Sequence, residues 1–384
     1  MDPSPLHVTS TVVRPTLGAV LTTLDSLGSG SRSNWSGAPT VGNDFVQRFE
    51  EDLTLFSYLG IRQVRLGIDW SRLQPVPGRI DDDWREWYLS VLLAAQRHGV
   101  GVWAALHEHT VPAWFDDEGS FADERACGLA WPRWVETAAE LFGDHVAGWF
   151  PMVDPSGVAA RWTSDSRKHE SALLNVAVAW RDSWRILRGG PPVATALGVR
   201  MIRPADQTMP ALEASRFEDH VRWKLWLRGL RDGVIRLPNG NERVVPDLGG
   251  ALDVLGLVTS LDVPEGTITD DTRRRWEERL GTVLRRAAEE GPDRPIALAG
   301  LDIRWANSEE CRLFVESTVQ SLRVAAQDGI PMQSVFIDPA IGPIPGPRTL
   351  HVASVVDRDR TTTGDTAAWL TLTPPASESG SGER

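Results

Sequence analysis

Four short apolar runs in this chain end in, or carry, groups able to move protons or hold a polar ligand: Arg65 in Val64-Arg65-Leu66-Gly67-Ile68, His107-Glu108-His109 after residues 101–106, Asp154 after residues 148–152, and Asp302 after residues 296–298. Glu108 and Asp154 are the expected catalytic pair. Two carboxyl groups projecting from neighbouring strands into a partly dry pocket raise one another's proton affinity, which leaves one of them a proton donor at neutral pH. Arg65, His107, His109 and Asp302 are expected to bind the substrate. The His-Glu-His triplet also resembles a metal-binding arrangement. Adjacent strand residues point to opposite faces, however, so either His107 with His109 or Glu108 alone faces the pocket. No metal and no cofactor is therefore expected. Asp69 is expected to form a structural ion pair beneath the site.

These groups are useful only if a scaffold brings strand ends together. From Phe45 onward, strand-length apolar segments alternate with longer segments of helical period, the pattern of repeated βα units around a parallel sheet. Strands are predicted near residues 18–21, 64–68, 101–106, 148–152, 193–199, 254–257, 296–298 and 334–337. Helices are predicted near 45–59, 84–97, 131–142, 173–187, 217–230, 272–290 and 309–327, with Asn307 and Glu310 as a capping box for the last. Eight strands are the number a closed (β/α)8 TIM barrel requires, and active sites of such barrels lie at the C-terminal strand ends. The expected organisation is one barrel over residues 16–373, a flexible N-terminus over 1–15 and a disordered tail over 374–384.

A formal net charge of -12 excludes nucleic acid and anionic membrane as expected partners, since both need clustered basic charge. The partner expected is a small-molecule ligand or substrate; the oligomeric state stays open. No segment reaches the roughly 20 apolar residues of a membrane span, and no leader pattern opens the chain, so the expected location is cytoplasmic. Cys127 and Cys311 are the only cysteines, too few and too far apart for a disulfide framework or zinc site. Arginine outnumbers lysine 38 to 2, a mark of codon usage rather than of function. Seventeen tryptophans suit a large core, with a share of them near a cleft.

The segment Gly60-Ile61-Arg62-Gln63-Val64-Arg65-Leu66-Gly67-Ile68-Asp69-Trp70-Ser71-Arg72 resembles the second-strand segment of glycoside hydrolase family 1. Leu106-His107-Glu108-His109-Thr110-Val111-Pro112-Ala113-Trp114 is similar to that family's third-strand segment, and Val153-Asp154-Pro155 stands where the family carries Asn-Glu-Pro. Residues 246–248, 253–257, 295–303, 312, 328–330, 355–358 and 369 echo further landmarks, so the resemblance runs from about Trp35 to Trp369. It implies a family 1 barrel in which the acid/base position is Asp154 and the nucleophile position is Gly300. It also implies lost sugar contacts: Glu108 replaces a His, Val153 an Asn, and Val258-Thr259-Ser260 an Asn-Tyr-Tyr. The eighth-strand motif is reduced to residues 334–338.

A retaining glycosidase needs two carboxyl groups roughly 5 to 5.5 Å apart, and Gly300 supplies none. The expected function is general acid/base chemistry on a small metabolite (isomerisation, elimination, dehydration or cyclisation) in bacterial specialised metabolism, such as natural product biosynthesis. The alternative is a non-catalytic pseudoglycosidase that binds a ligand or partner. An atypical glycoside hydrolase, with Asp302 as the base of a water-based inverting reaction, ranks third.

Overall fold

The computed structural model describes residues 15–23, 43–262, 270–305, 308–342 and 351–372. In chain order the strands are β1 (Thr16–Leu21), β2 (Gln63–Gly67), β3 (Gly101–Ala105), β4 (Gly148–Phe150), β5 (Leu197–Gly198), β6 (Val234–Arg236), β7 (Glu242–Val244), β8 (Leu255–Asp262), β9 (Ile296–Trp305), β10 (Met332–Ile337) and β11 (His351–Val352). The helices are α1 (Phe45–Tyr58), α2 (Trp70–Leu73), α3 (Asp82–Arg97), α4 (Ala113–Asp117), α5 (Glu124–Phe142), α6 (Pro155–Ala160), α7 (Ser166–Leu187), α8 (Met209–Asp219), α9 (Leu225–Asp232), α10 (Asp270–Glu290), α11 (Ser308–Gln327) and α12 (Gly364–Leu370).

Eight strands run parallel in the order β4, β3, β2, β1, β10, β9, β8, β5. The ring closes between β4 and β5 through bridges Trp149 to Val193 and Val153 to Ala196. Ala194 N donates to Trp149 O at 2.8 Å, and Asp154 N to Ala196 O at 2.8 Å. The chain is thus a (β/α)8 barrel with helices outside, the architecture that strand and helix alternation predicts.

Side chains alternate across each strand, so the barrel has an inner and an outer core. The outer core lies between strands and helices. Within it Trp70 stacks on Trp134 with ring centres 5.5 Å apart and meets Trp114 and Trp131 edge to face. The inner core is a separate cluster around Val20, Trp103, Phe150 and Phe336. Its base is packed so tightly that a Cβ at Gly148 would come within 2.3 Å of the Trp103 ring, which accounts for glycine there. The barrel is therefore a filled core rather than a channel, and only its upper rim is available for chemistry. Cys127 and Cys311 are buried free thiols; burial pushes Cys127 up to about 12 and raises Cys311 as well.

The elements depart from the sequence expectation in several ways: the short helices α2, α4, α6 and α12 and strand β11 are additional, and the helix expected near 217–230 is divided between α8 and α9. Helices α3, α5 and α7 begin earlier than their apolar periodicity suggests, because Asp81, Asp123 and Asp165 cap them by accepting from Trp84 N, Ala126 N and Lys168 N. The hairpin β6–β7 is additional, turning through Pro238-Asn239-Gly240. Finally, β8 and β9 run well past the rim. They pair as far as Asp262 with Arg304, while β5 accompanies β8 only to Val258 and β10 accompanies β9 only to Leu301. β11 then pairs antiparallel with the top of β9. Asn307, the N-terminal segment and the C-terminal tail lie outside the described residues.

Candidate functional site

Arg65 sits in the middle of β2, pointing into the barrel with no exposed surface. A guanidinium there must be compensated, because an unpaired buried charge is strongly unfavourable. One terminal nitrogen donates to Ala299 O on β9, and the other reaches Glu108 Oε1 and, at 3.4 Å, Asp338 Oδ2. Asp338 directly follows β10. One guanidinium thus ties together β2, β3, β9 and β10 across the top of the inner core.

Gly300 on β9 belongs to the same arrangement. A Cβ placed on it would come within 2.8 Å of Arg65 Nη1, 3.4 Å of Asp338 Oδ2 and 3.4 Å of the Val258 side chain. The space a larger residue would need is taken by Arg65. Val153 and Val258 line this region with apolar surface, continuous with the inner core.

Glu108 follows β3 and is 9% exposed at its side chain. Oε1 accepts from Arg65, with His109 Nε2 at 3.8 Å. Oε2 has no hydrogen-bond partner among the described residues. The carboxylate lines a depression of about 300 Å³ with Thr22, Thr23, Gly67, Ile68, Asp69, His109 and Thr110. Its narrow interior admits little more than one or two water molecules.

His107 is not part of this depression. Its ring is buried on the helix side of β3, edge-on to Phe121 at 5.3 Å and Trp131 at 6.3 Å. Neither ring nitrogen has a partner among the described residues. Burial, reinforced by the nearby His109, depresses its pKa to about 3, so the imidazole is neutral. The substrate-binding expectation for His107 is corrected accordingly. Strict alternation also fails after Leu106: β3 ends at Ala105, and the turn that follows lets Glu108 and His109 face the same depression.

Asp154 does not meet Glu108 as the expected pair. It has φ 45° and ψ 66° and caps α6, accepting from Gly157 N at 3.0 Å. Arg222 Nη1 lies 3.6 Å from its Oδ2 and also donates to Gly198 O at 3.0 Å. A Cβ on Gly198 would stand 2.1 Å from Asp154 Oδ1, so β5 leaves this carboxylate its place only by carrying a glycine. Each carboxylate therefore has its own guanidinium: Arg65 for Glu108 and Arg222 for Asp154.

Asp302 lies one side-chain repeat beyond Gly300 and forms a two-oxygen contact with Arg304, both at 2.7 Å to 3.0 Å. Asp69 caps α2. It accepts from Ser71 N, Ser71 Oγ and Thr110 Oγ1 and forms an ion pair with Arg72 of the same turn at 3.0 Å. Sequence reasoning passed over Asp338 and Arg222. The signal for Asp338 was its place at the end of the last barrel strand. Arg222 had none, since it is brought to the rim by a π turn, His220–Lys224, joining α8 to α9. No group of three or more His, Cys, Asp or Glu side chains able to hold a metal occurs among the described residues.

The sequence model of Glycosyl hydrolase family 1 matches residues 26–163 of the chain. Beta-glucosidase 34 of Oryza sativa subsp. japonica is 28% identical over 137 residues, 35% of this chain and 27% of that protein. The 6-phospho-beta-glucosidase GmuD of Bacillus subtilis is 27% identical over 118 residues, 30% and 25% of the two chains. The matched stretch thus spans about a quarter of the length of these curated relatives. Among solved structures, a family 1 b-glucosidase from Thermotoga maritima superposes with a TM-score of 0.76 at 14% identity, covering 93% of this chain and 97% of that one. Aphid myrosinase superposes with a TM-score of 0.73 at 11% identity, covering 93% and 98%. The fold is that of family 1 glycosidases, and the likeness in sequence lies in the first half of the barrel.

Proposed function

We propose that this chain is a pseudoglycosidase: a family 1 glycosidase-like barrel that does not hydrolyse glycosides by the retaining route and instead binds a small ligand at its rim. The observation that carries the reading is Arg65 Nη1 standing 2.8 Å from where a Cβ at Gly300 would be. By the family pattern, Gly300 is the nucleophile position, and here a guanidinium occupies the space a carboxylate would need. The retaining mechanism requires a second carboxyl at roughly 5 to 5.5 Å, and Asp154, the acid/base position, is turned to Gly157 and Arg222. Incubation with aryl β-glucosides, β-galactosides and their 6-phospho forms is expected to give no turnover above buffer. A 2-deoxy-2-fluoroglucosyl fluoride is expected to leave the intact mass unchanged. Wild-type turnover that disappears in Asp154→Asn would overturn the proposal.

One observation favours the second reading, a repurposed acid/base enzyme acting on a small metabolite. Glu108 lines the depression and keeps one buried oxygen without a partner among the described residues, and a carboxyl group so placed has the chemistry of a general acid or base. Metabolite extracts treated with wild type, Glu108→Gln and Asp154→Asn and followed by mass spectrometry distinguish the two. Conversion by wild type alone selects the enzyme, and unchanged extracts throughout select the binding protein.

A further inference from the structure

The hairpin of β6 and β7 lies along the outside of α7 and leaves one backbone edge open. Its tip is tied to the first part of that helix by Asn239 Nδ2 donating to Glu170 at 2.6 Å, and the chain after β7 is tied to its last turn by Arg185 donating to Asp247 at 2.6 Å. Ladder bonds between the two strands fall at alternate residues. Leu237 N donates to Asn241 O and Val245 N to Gly233 O, each at 2.8 Å, so Ile235 and Arg243 form the bonded pair between them. Glu242 and Val244 therefore turn their N–H and C=O groups away from β6. Glu242 O accepts from Arg243 at 3.0 Å, whereas neither the N–H nor the C=O of Val244 has a partner among the described residues. The Val244 side chain is itself 75% exposed.

A groove of about 1210 Å³ runs beside this edge. Arg243 and Val244 of β7 form one wall, and Asp123, Glu124 and Gly128 at the start of α5 form the other. The floor is α7, whose lining residues Ser171, Leu174, Val178 and Asp182 recur every three or four positions and so share one helix face. Between the two ties α7 runs from Glu170 to Arg185, about 22 Å of helix, which is the length of roughly six extended residues.

We propose that this edge takes up an extended segment of another protein, about six residues long, as a third strand beside β7. Its backbone pairs with Val244, its alternate apolar side chains rest on Leu174 and Val178, and a Lys or Arg reaches the α5 wall. Unpaired strand groups select a strand as the occupant, since each N–H and C=O is a strong hydrogen-bonding group that a further strand satisfies in register. Charge selects the basic residue: neither Asp123 nor Glu124 has a cationic partner among the described residues, and Asp123 accepts from Ala126 N alone. A second copy of this chain fits less well. In the register that uses the open groups of Glu242 and Val244, the two Arg243 side chains stand directly opposite, and like charges so placed repel. The groove lies on the flank of the barrel and shares no residue with the rim.

The test is fluorescence anisotropy of the full chain with a labelled hexapeptide amide, Lys-Val-Thr-Val-Thr-Val, together with amide hydrogen exchange. Saturable binding with a Kd below about 1 mM is expected, with slowed exchange confined to β7. Replacing the peptide's Lys by Glu should weaken binding about two- to five-fold. Val244→Pro removes the outward N–H while leaving the bonds to β6, as proline does on strand edges, and should abolish binding; Val244→Thr should keep it. Should Val244→Pro disturb the hairpin, the N-methylated peptide, whose backbone cannot donate, tests the same pairing on the unaltered protein and should not bind. No binding by wild type, equal binding of the N-methylated peptide, or indifference to the Lys to Glu change would overturn the proposal. A dimer seen in sedimentation that Val244→Pro dissociates, without peptide binding, would overturn it in favour of a second copy.

Discussion

Single side chains decide what this rim can do, and Arg65 weighs most. Gly300→Glu is expected to restore no glycosidase activity, because the new side chain must displace Arg65 from its bonds to Ala299 and Glu108. Overpacking of this kind costs about 1 to 3 kcal/mol, measurable by urea denaturation alongside an aryl glucoside assay. His107 gives a pH signature. Its folded pKa, about 3, lies below the ordinary value of 6.5, so as pH falls through that interval the unfolded chain takes up a proton that the folded chain does not. Its contribution is full above the ordinary value, and stability declines as pH drops toward 3 at up to about 1.4 kcal/mol per unit. Comparing pH 7 with pH 5, His107→Phe should show a loss smaller than wild type by about 2 kcal/mol, read from denaturant midpoints. The residue types at the rim were legible in the sequence because strand ends mark them. Their partners were not: Arg65 with Gly300 and Arg222 with Asp154 are meetings between residues far apart in the chain, which no local pattern encodes.

Among the elements, the short helix α6 shows why Asp154 has to be read with care. Its carboxylate holds the first turn through Gly157 N, and its left-handed backbone suits Asp or Asn far better than most residues. Asp154→Asn should keep the cap and change stability by a few tenths of a kcal/mol, whereas Asp154→Ala should cost about 1 to 2 kcal/mol. Thermal unfolding of both variants checks this, and it makes Asn the informative substitution for any assay of chemistry. Element type was widely legible, since period 2 and period 3.6 segments alternate with little ambiguity. Boundaries were less so. Asp81 and Asp165 start their helices in polar segments, and Asp123 starts its helix ahead of the small residues Ala126, Cys127 and Gly128, so a reading based on large apolar side chains begins each helix late. The hairpin of β6 and β7 was missed for a related reason, as β7 is exposed along its whole length and shows no alternation.

At the scale of the whole molecule, the ring is joined to the C-terminal region by a buried ion pair. Arg360 donates through two nitrogens to Asp52 on α1, at 2.6 and 2.9 Å, and a further nitrogen reaches Asn43 O. Burial drives the Asp52 pKa upward even though Arg360 opposes it, which shows how large the desolvation is. Arg360→Ala should therefore cost about 3 to 5 kcal/mol by stranding Asp52, while Arg360→Met with Asp52→Leu should recover most of the loss. Calorimetric Tm values for the two single variants and the double variant decide it. The barrel itself was legible from strand count and helix alternation, while its uneven rim was not, because 258–262 and 301–305 are mixed polar and apolar stretches that follow the short apolar runs by which the strands were recognised. That unevenness has a consequence for solubility. A closed barrel has no open strand edges, yet β8 outruns β5 by the stretch 259–262, and among the described residues no strand lies on that side. An unpaired edge of this kind invites another chain to add a strand, so in concentrated solution this flank, rather than the helical girdle, is where one molecule would begin to recruit the next.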